Sequence, residues 1–295
     1  MLTLFAVPKP FTGAAERAQR NALDSWKRAV PDAQVILFGD EAGIEEAARE
    51  AGVEHVGTIA RNEFGTPLLD DVFAKAQMRS RHRLCCYLNA DIILLDGLPA
   101  VLEKLRMPRF LGVGRRTDLD VPDRIDFGPT DWARRLRDRA RVSGHLHDAV
   151  AMDYFLFPTG TLTGMPPFPV GRVLWDNWMV HHARSNDTPV FDLTNAVTIV
   201  HQNHDYGHVA GGQKAVWTGI EAQRNWQVLG PDFFPLTIDD ATWTLDKGPQ
   251  SEPRQLCDVR HLVRRLLVYP ALSPRLKPSV RVARWMRQRI VGQKG

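Results

Sequence analysis

The stretch Leu84 to Leu95, LCCYLNADIILL, limits what this chain can fold into more than any other. It is apolar but for the triplet Asn89-Ala90-Asp91 and has no helical period. That is the pattern of a central parallel strand covered on both faces. Polar groups inside such a run are costly to bury. The triplet is therefore either a polar turn between two core segments or the point where the strand ends. In the second case it lies at the carboxyl edge of the sheet, where open α/β sheets bind ligands. There Asp91 is placed to hold a divalent cation, and the cation a diphosphate.

The preceding sequence supports a sheet around this strand. Leu2 to Val7, Val35 to Phe38 and Val53 to Val56 read as strands. Between them, Glu16 to Val30 carries Ala18, Ala22 and Trp26 at helical spacing. Glu41 to Ala51 does the same through Ile44, Ala47 and Ala48, and Gly52 closes it. A further helix covers Leu68 to Ser80. This alternation predicts a parallel sheet with right-handed crossovers. No Gly-x-Gly-x-x-Gly follows the first strand and no Gly-Lys-Ser/Thr loop occurs, which argues against dinucleotide enzymes and P-loop ATPases.

After the triplet, Leu98 to Leu105 reads as a helix and Phe110 to Gly114 as a strand running into Arg115-Arg116-Thr117-Asp118. Thr117 to Thr130 has no period and reads as a long active-site loop. Asp131 to Val142 is a basic helix, and Asp153 to Pro158 a strand expected antiparallel at a sheet edge. Arg115, Asp118 and Asp153 are candidate acceptor contacts. Asp176 opens a helix in GRVLWDNWMVHHAR, either as a cap or as a general base. Trp175 and Trp178 beside it are either core or platforms for the apolar face of a sugar. Val197 to Val200 then leads into His201-Gln202-Asn203-His204-Asp205-Tyr206-Gly207-His208, a dense donor cluster that points to metal ligation. Val209 to Gly212 reads as a mobile lid, and Lys214 beyond it as a diphosphate contact or a solvated charge.

The segments TLFAVPKPF, ILFGDEAG, RNEFGTPLLDD, YLNADIILL, GVGRRTDLD, WDNWMVHHAR and VHQNHDYGH together resemble a bacterial family of GT-A-fold glycosyltransferases, over about residues 2 to 245. The likeness implies a Rossmann-type central sheet, mixed but mostly parallel and flanked by helices. It implies sugar transfer from a nucleoside-diphosphate sugar to a glycan or lipid-linked hydroxyl, with Mn²⁺ or Mg²⁺. The family's Asp-x-Asp motif matches the triplet, with Asn89 in place of the first Asp. Asp91 is then the direct ligand, Asn89 faces the ribose or a metal-bound water, and Ala90 lies between them. His201, with His204 second, takes the role of a later metal ligand. The Val7 to Phe11 segment, Val7 and Pro8 foremost, and Asp40 become base contacts, although Asp40 also suits a helix cap. Arg61 and Asn62 fall in a nucleotide-facing loop. Asp176 maps to the general base of inverting members.

Composition separates the body from the tail. From Pro253 to Gly295 there are eleven Lys or Arg against one acid, within a chain of net charge +4, so the rest is mildly acidic. The expected organisation is a catalytic domain over 1–250, with a nucleotide half (1–100) and an acceptor half (101–250). A basic amphipathic helical tail would cover 251–295, suited to an anionic membrane surface or to packing on the domain. No nucleic-acid motif stands behind that charge. Three cysteines form no disulfide framework, the first residues carry no charged leader, and no apolar run reaches a membrane span. A cytoplasmic enzyme, peripheral at most, is the expectation, with a role in cell-surface glycan synthesis. Competing functions are a retaining transferase, a sugar nucleotidyltransferase, a hydrolase with a zinc site at the histidine cluster, and a non-catalytic sugar-nucleotide-binding protein.

Overall fold

The apolar run that begins at Leu84 is divided between two sheets. The computed structural model describes residues 2–203, 216–231 and 233–246, and the backbone of 251–253. In chain order the first elements are β1 (Leu2–Ala6), α1 (Gly13–Ala29), β2 (Gln34–Phe38), α2 (Ile44–Ala51), β3 (Glu54–Val56) and α3 (Leu69–Arg79). Then come β4 (Leu84–Leu88), β5 (Ile92–Asp96), α4 (Leu98–Lys104), β6 (Leu111–Val113), β7 (Thr117–Leu119), α5 (Trp132–Ser143) and β8 (His145–Leu146). The second half adds β9 (Tyr154–Pro158), α6 (Trp175–Ser185), β10 (Val190–Asp192), β11 (Thr198–Gln202), α7 (Ile220–Leu229), β12 (Trp243–Leu245) and β13 (Ser251–Pro253).

The large sheet has the order β13-β12-β10-β6-β9-β4-β1-β2-β3, and the small one β5-β11-β7-β8. Five pairings of the large sheet are parallel and three antiparallel. It is thus a mixed, mostly parallel sheet with helices on its faces. One core layer holds Ala22 and Trp26 of α1, Ile44 of α2 and Val101 of α4; the other holds Phe73 of α3 and Met179 of α6. A third cluster lies between the small sheet and Leu136 and Ala140 of α5.

Four local expectations change. β9 is antiparallel, but it sits between β4 and β6 in the middle of the sheet and not at an edge. Its residues Tyr154 to Phe157 are all buried, which is why they read as an uninterrupted apolar run. The Thr117 to Thr130 stretch is not wholly loop, because Thr117–Leu119 pairs with β11 and β8. A three-residue strand is too short to show a period in sequence. His201 lies within β11 rather than beyond it. The sheet also continues to Pro253, since β13 pairs with β12. The remainder of the basic tail, the lid at 209–212, His204, His208 and Lys214 lie outside the described residues.

The edge of β5 not paired to β11 is covered by α1. Trp26 Nε1 donates to the Ile92 carbonyl at 2.7 Å, and the Leu94 amide donates to Ser25 Oγ at 3.0 Å. An uncovered strand edge invites pairing with other chains, and these bonds remove that liability. At the far end of β5, Gly97 has φ +90°, and a Cβ there would collide with the Ala196 carbonyl oxygen. Only glycine turns the chain this close to the strand beside it. Among the described residues no helix is long and apolar enough to cross a membrane.

Candidate active site at the carboxyl edge of the sheet

The carboxyl ends of β1 and β4 and the amino end of β9 meet at one edge, because β9 runs the other way. They bound a cleft of about 620 Å³ lined by Val7 to Pro10, Tyr87, Asn89 to Asp91, Arg116, Asp153 and His201, and closed by parts of 64–67, 170–172 and 216–221. Asp91 and His201, 110 positions apart, therefore share a cavity. The register explains it: His201 pairs with Ile92, the residue after Asp91, on one side and with Asp118 on the other.

A chain of charged and polar groups crosses the floor. The Asn89 amide donates to the Asp153 carbonyl at 2.9 Å, and Asn89 Nδ2 donates to Asp153 Oδ1 at 2.5 Å. Arg116 Nη1 donates to Asp153 Oδ2 and Arg116 Nε to Asp118 Oδ1, both at 2.8 Å. Asp118 Oδ1 is in turn 3.1 Å from His201 Nδ1. Asp153 is only 4% exposed, so its charge needs the partners it has. Burial alone would push the Asp118 carboxyl up, but His201 and the Arg116 guanidinium outweigh it and hold it below its ordinary range. Burial pushes the Tyr87 hydroxyl far up, and the charges of Asp91 and Asp153 add to that.

Asp91 keeps 14% of its side chain exposed, and Lys9 Nζ stands 3.6 Å from its Oδ2. Its backbone carbonyl is held by Gln202 Nε2 at 2.9 Å. Gln202 also donates to the Ala18 carbonyl and accepts from Asn21, which ties the triplet to α1. Among the described residues no three His, Cys, Asp or Glu side chains gather as a cation site. A magnesium-type ion in phosphate chemistry needs only one or two carboxylates, with phosphate oxygens and water completing its shell. Asp91 meets that requirement at the sheet edge, with His201 in the same cleft.

The other sequence candidates fall into three groups. Val7, Pro8, Asn89, Ala90 and Asp153 line the cleft with Asp91 and His201. Asp40, Arg61, Asn62, Arg115, Asp118 and Asp176 are not among its lining side chains. Asp40 is exposed and paired with Arg61, which also bonds Glu41 at 2.9 Å; the N-cap of α2 is Gly43, not Asp40. Asn62 accepts from the amides of Phe64 and Thr66 and so shapes the turn that does face the cleft. Arg115 Nε donates to the His147 carbonyl at 2.5 Å and braces the loop before β9. Trp175 and Trp178 are core: Trp175 packs on Tyr87 and Phe155 at 5.2 and 5.1 Å, and Trp178 stacks on His182 at 4.5 Å. At 6% and 7% exposure, neither offers a face to a sugar.

Asp176 occupies the first turn of α6 and accepts from the Asn177 amide at 2.9 Å. Protein crowds its carboxyl although the residue keeps some exposure. Burial, with the Asp153 charge adding, pushes that carboxyl up to about 7 against the Asn177 bond. Sequence reasoning covered Lys9 only as part of the Val7 to Phe11 segment and missed Arg116 and the α7 clamp. In that clamp Glu221 accepts from Asn62 at 2.6 Å and Arg172 at 2.7 Å, joining three segments around the cleft. The Pro8-Lys9-Pro10 sequence was the available signal for Lys9. Nothing in the sequence tells which of Arg115 and Arg116 faces inward, since both lie in the short connection between β6 and β7.

No family model and no curated protein matches the chain. Sugar transferases appear among the solved structures that match. One is a galactosyltransferase, LgtC, in complex with donor and acceptor sugar analogs, at 17% identity and TM-score 0.29, covering 39% of this chain and 46% of that one. A second is the mannosyltransferase PcManGT of Pyrobaculum calidifontis in complex with GDP-Man and Mn²⁺, at 13% identity and TM-score 0.45, covering 70% and 58%. A third is TarS of S. aureus with UDP, at 11% identity and TM-score 0.31, covering 42% and 38%. This chain thus spans less than two thirds of each of these three. At such scores the likeness carries no argument about family or activity.

Proposed function

We propose that this chain transfers a sugar from a nucleoside-diphosphate sugar to a hydroxyl acceptor, with inversion. The observation that carries the reading is Asp91 at the carboxyl edge of β4, in one cleft with the β1 loop and His201. Asp91 and His201 would hold a Mn²⁺ or Mg²⁺ ion, which supplies charge to offset that of the departing diphosphate. Lys9 and Arg116 add fixed positive charge at the same end of the cleft, where it favours the diphosphate over the intact donor. Asp153, held by Asn89 and Arg116, lines the same cleft and would contact the acceptor. The acceptor hydroxyl loses its proton as that oxygen bonds to the anomeric carbon and the sugar–phosphate bond breaks; the motif resemblance gives that proton to Asp176, which opens α6 and has to be reached from the cleft it does not itself line. Resemblance of the sequence motifs to GT-A transferases agrees with these roles. A lipid-linked acceptor and a peripheral membrane position belong to the tail, outside the described residues.

Titration calorimetry with UDP- and GDP-sugars, with and without Mn²⁺, tests the reading. Binding of at least one donor that strengthens with Mn²⁺ is expected, followed by release of nucleoside diphosphate and a product of inverted anomeric configuration by NMR. Absence of binding to any nucleoside-diphosphate sugar would remove it.

Asp176→Asn is expected to lower transfer by about 10²- to 10⁴-fold. The wild-type rate should rise with pH through about 7 as the carboxyl ionises, and the variant's profile should lose that rise. The stability sign is opposite. A carboxyl that titrates at about 7 in the fold and at about 4 when unfolded weakens the fold as pH climbs between those values. Asp176→Asn should therefore stabilise the protein at pH 8 and not at pH 4 in urea titrations. A variant with a wild-type pH profile would exclude Asp176 as the base.

A further inference from the structure

Lys9 is the only residue between Pro8 and Pro10. Pro8 has a fixed φ, and Lys9, preceding a proline, is confined to extended backbone. Its amide is the one N–H in the Pro8–Pro10 segment, and Gln19 takes it: the Lys9 N–H donates to Gln19 Oε1 at 2.6 Å. Gln19 Nε2 donates back to the Lys9 carbonyl at 3.0 Å. Gln19 is itself 3% exposed on α1, so the clamp is anchored in the core. The chain thus holds the Lys9 backbone rigidly and leaves only the side chain to move. That side chain ends 3.6 Å from Asp91 Oδ2, at 30% exposure against 14% for the carboxylate. Both line the cleft.

We propose that Lys9 is the resident counter-cation of Asp91 and gives up that position to a divalent ion only when a nucleoside diphosphate takes its ammonium group. This rests on the sugar-nucleotide reading of the cleft and adds an order of events to it. An ammonium group and a divalent ion cannot both sit against one carboxylate without strong repulsion at this depth. A diphosphate offers the ammonium a second anionic partner within a side chain's swing, and at the same time brings oxygens to the ion. Cation and diphosphate therefore bind with positive coupling, and Lys9 adds to the part that direct phosphate–ion contact supplies. The arrangement also keeps Asp91 neutralised in the empty cleft, where a buried carboxylate without a counter-charge is costly.

The test measures Mn²⁺ binding by electron paramagnetic resonance and UDP or GDP binding by calorimetry on the full chain. Wild type is compared with Lys9→Met, Lys9→Gln and Lys9→Arg, and melting curves confirm that each is folded. Without nucleotide, Lys9→Met and Lys9→Gln should bind Mn²⁺ about tenfold tighter than wild type, within the usual range of coupling factors. Without Mn²⁺ they should bind UDP or GDP more weakly, and the enhancement of each ligand by the other should shrink. Lys9→Arg should behave as wild type. Equal Mn²⁺ affinity in wild type and both neutral variants, with nucleotide and Mn²⁺ still binding together, overturns the role of Lys9 alone. Failure of wild type to bind UDP or GDP under any condition overturns the sugar-nucleotide reading and this inference with it.

Discussion

Asp91→Asn is expected to reduce sugar transfer by about 1,000-fold, the scale seen when a single electrostatic contact to developing charge is lost. The substitution keeps the shape of the side chain and leaves the backbone carbonyl bonded to Gln202 at 2.9 Å. Only the negative charge that faces Lys9 and the cleft is removed. The urea midpoint should therefore stay near that of wild type, or rise at low Mn²⁺ if Lys9 is content without its partner. Donor turnover measured at saturating nucleotide sugar reads the effect in kcat. A variant that kept more than a tenth of the wild-type rate would make the triplet a structural turn and nothing else.

The second large effect is on stability. Arg116→Met should destabilise the fold by about 3–5 kcal/mol, as when one partner is removed from a buried ion pair. Asp153, at 4% exposure, would lose the guanidinium bonded to its Oδ2, and Asp118 would lose its Nε contact. Because Arg116 links Asp153, the residue before β9 of the large sheet, to Asp118 in β7 of the small one, the loss falls on the joint between them. The double variant Arg116→Met with Asp153→Asn should recover part of the cost, since the orphaned charge is gone. Urea unfolding at pH 7 measures both. A single-variant loss under about 1 kcal/mol would mean that water replaces the guanidinium and that the pair is not buried in solution.

Much of the sheet was legible because its strands are apolar on both faces and its helices carry apolar residues at a regular spacing. Trp26 and Ala22 read as one face of α1, and they are that face. What the spacing does not show is that Asn21 and Ser25, polar by type, are also fully buried there, because their partners lie on strands far along the chain. The same blindness put β9, correctly read as an antiparallel strand, at an edge. A strand of five buried residues has no alternation, and without it sequence cannot distinguish a central position from an edge. Asp91 and His201, which line one cleft, could be singled out because each is polar at the end of an apolar run. Lys9 entered only as part of a loop segment and Arg116 was passed over, since a lysine in a loop and one arginine of two look like surface charges. The Trp175 and Trp178 rings were read in both senses, and packing against Tyr87, Phe155, Phe168 and His182 decides for the core.

The four residues Ile92 to Leu95 have a consequence for where the Asp91 carboxylate sits along the cleft. Ile92 and Leu94 pack into one core layer and Ile93 and Leu95 into another. Sliding this segment by one position would exchange like for like, so oil and water alone barely distinguish the two alignments. The alignment is set by pegs instead: the indole of Trp26, the hydroxyl of Ser25 and the amide of Gln202 each engage one backbone group. Three buried side chains, of which only Gln202 touches the triplet itself, thus act with the β11 ladder as the vernier that sets where the acid sits.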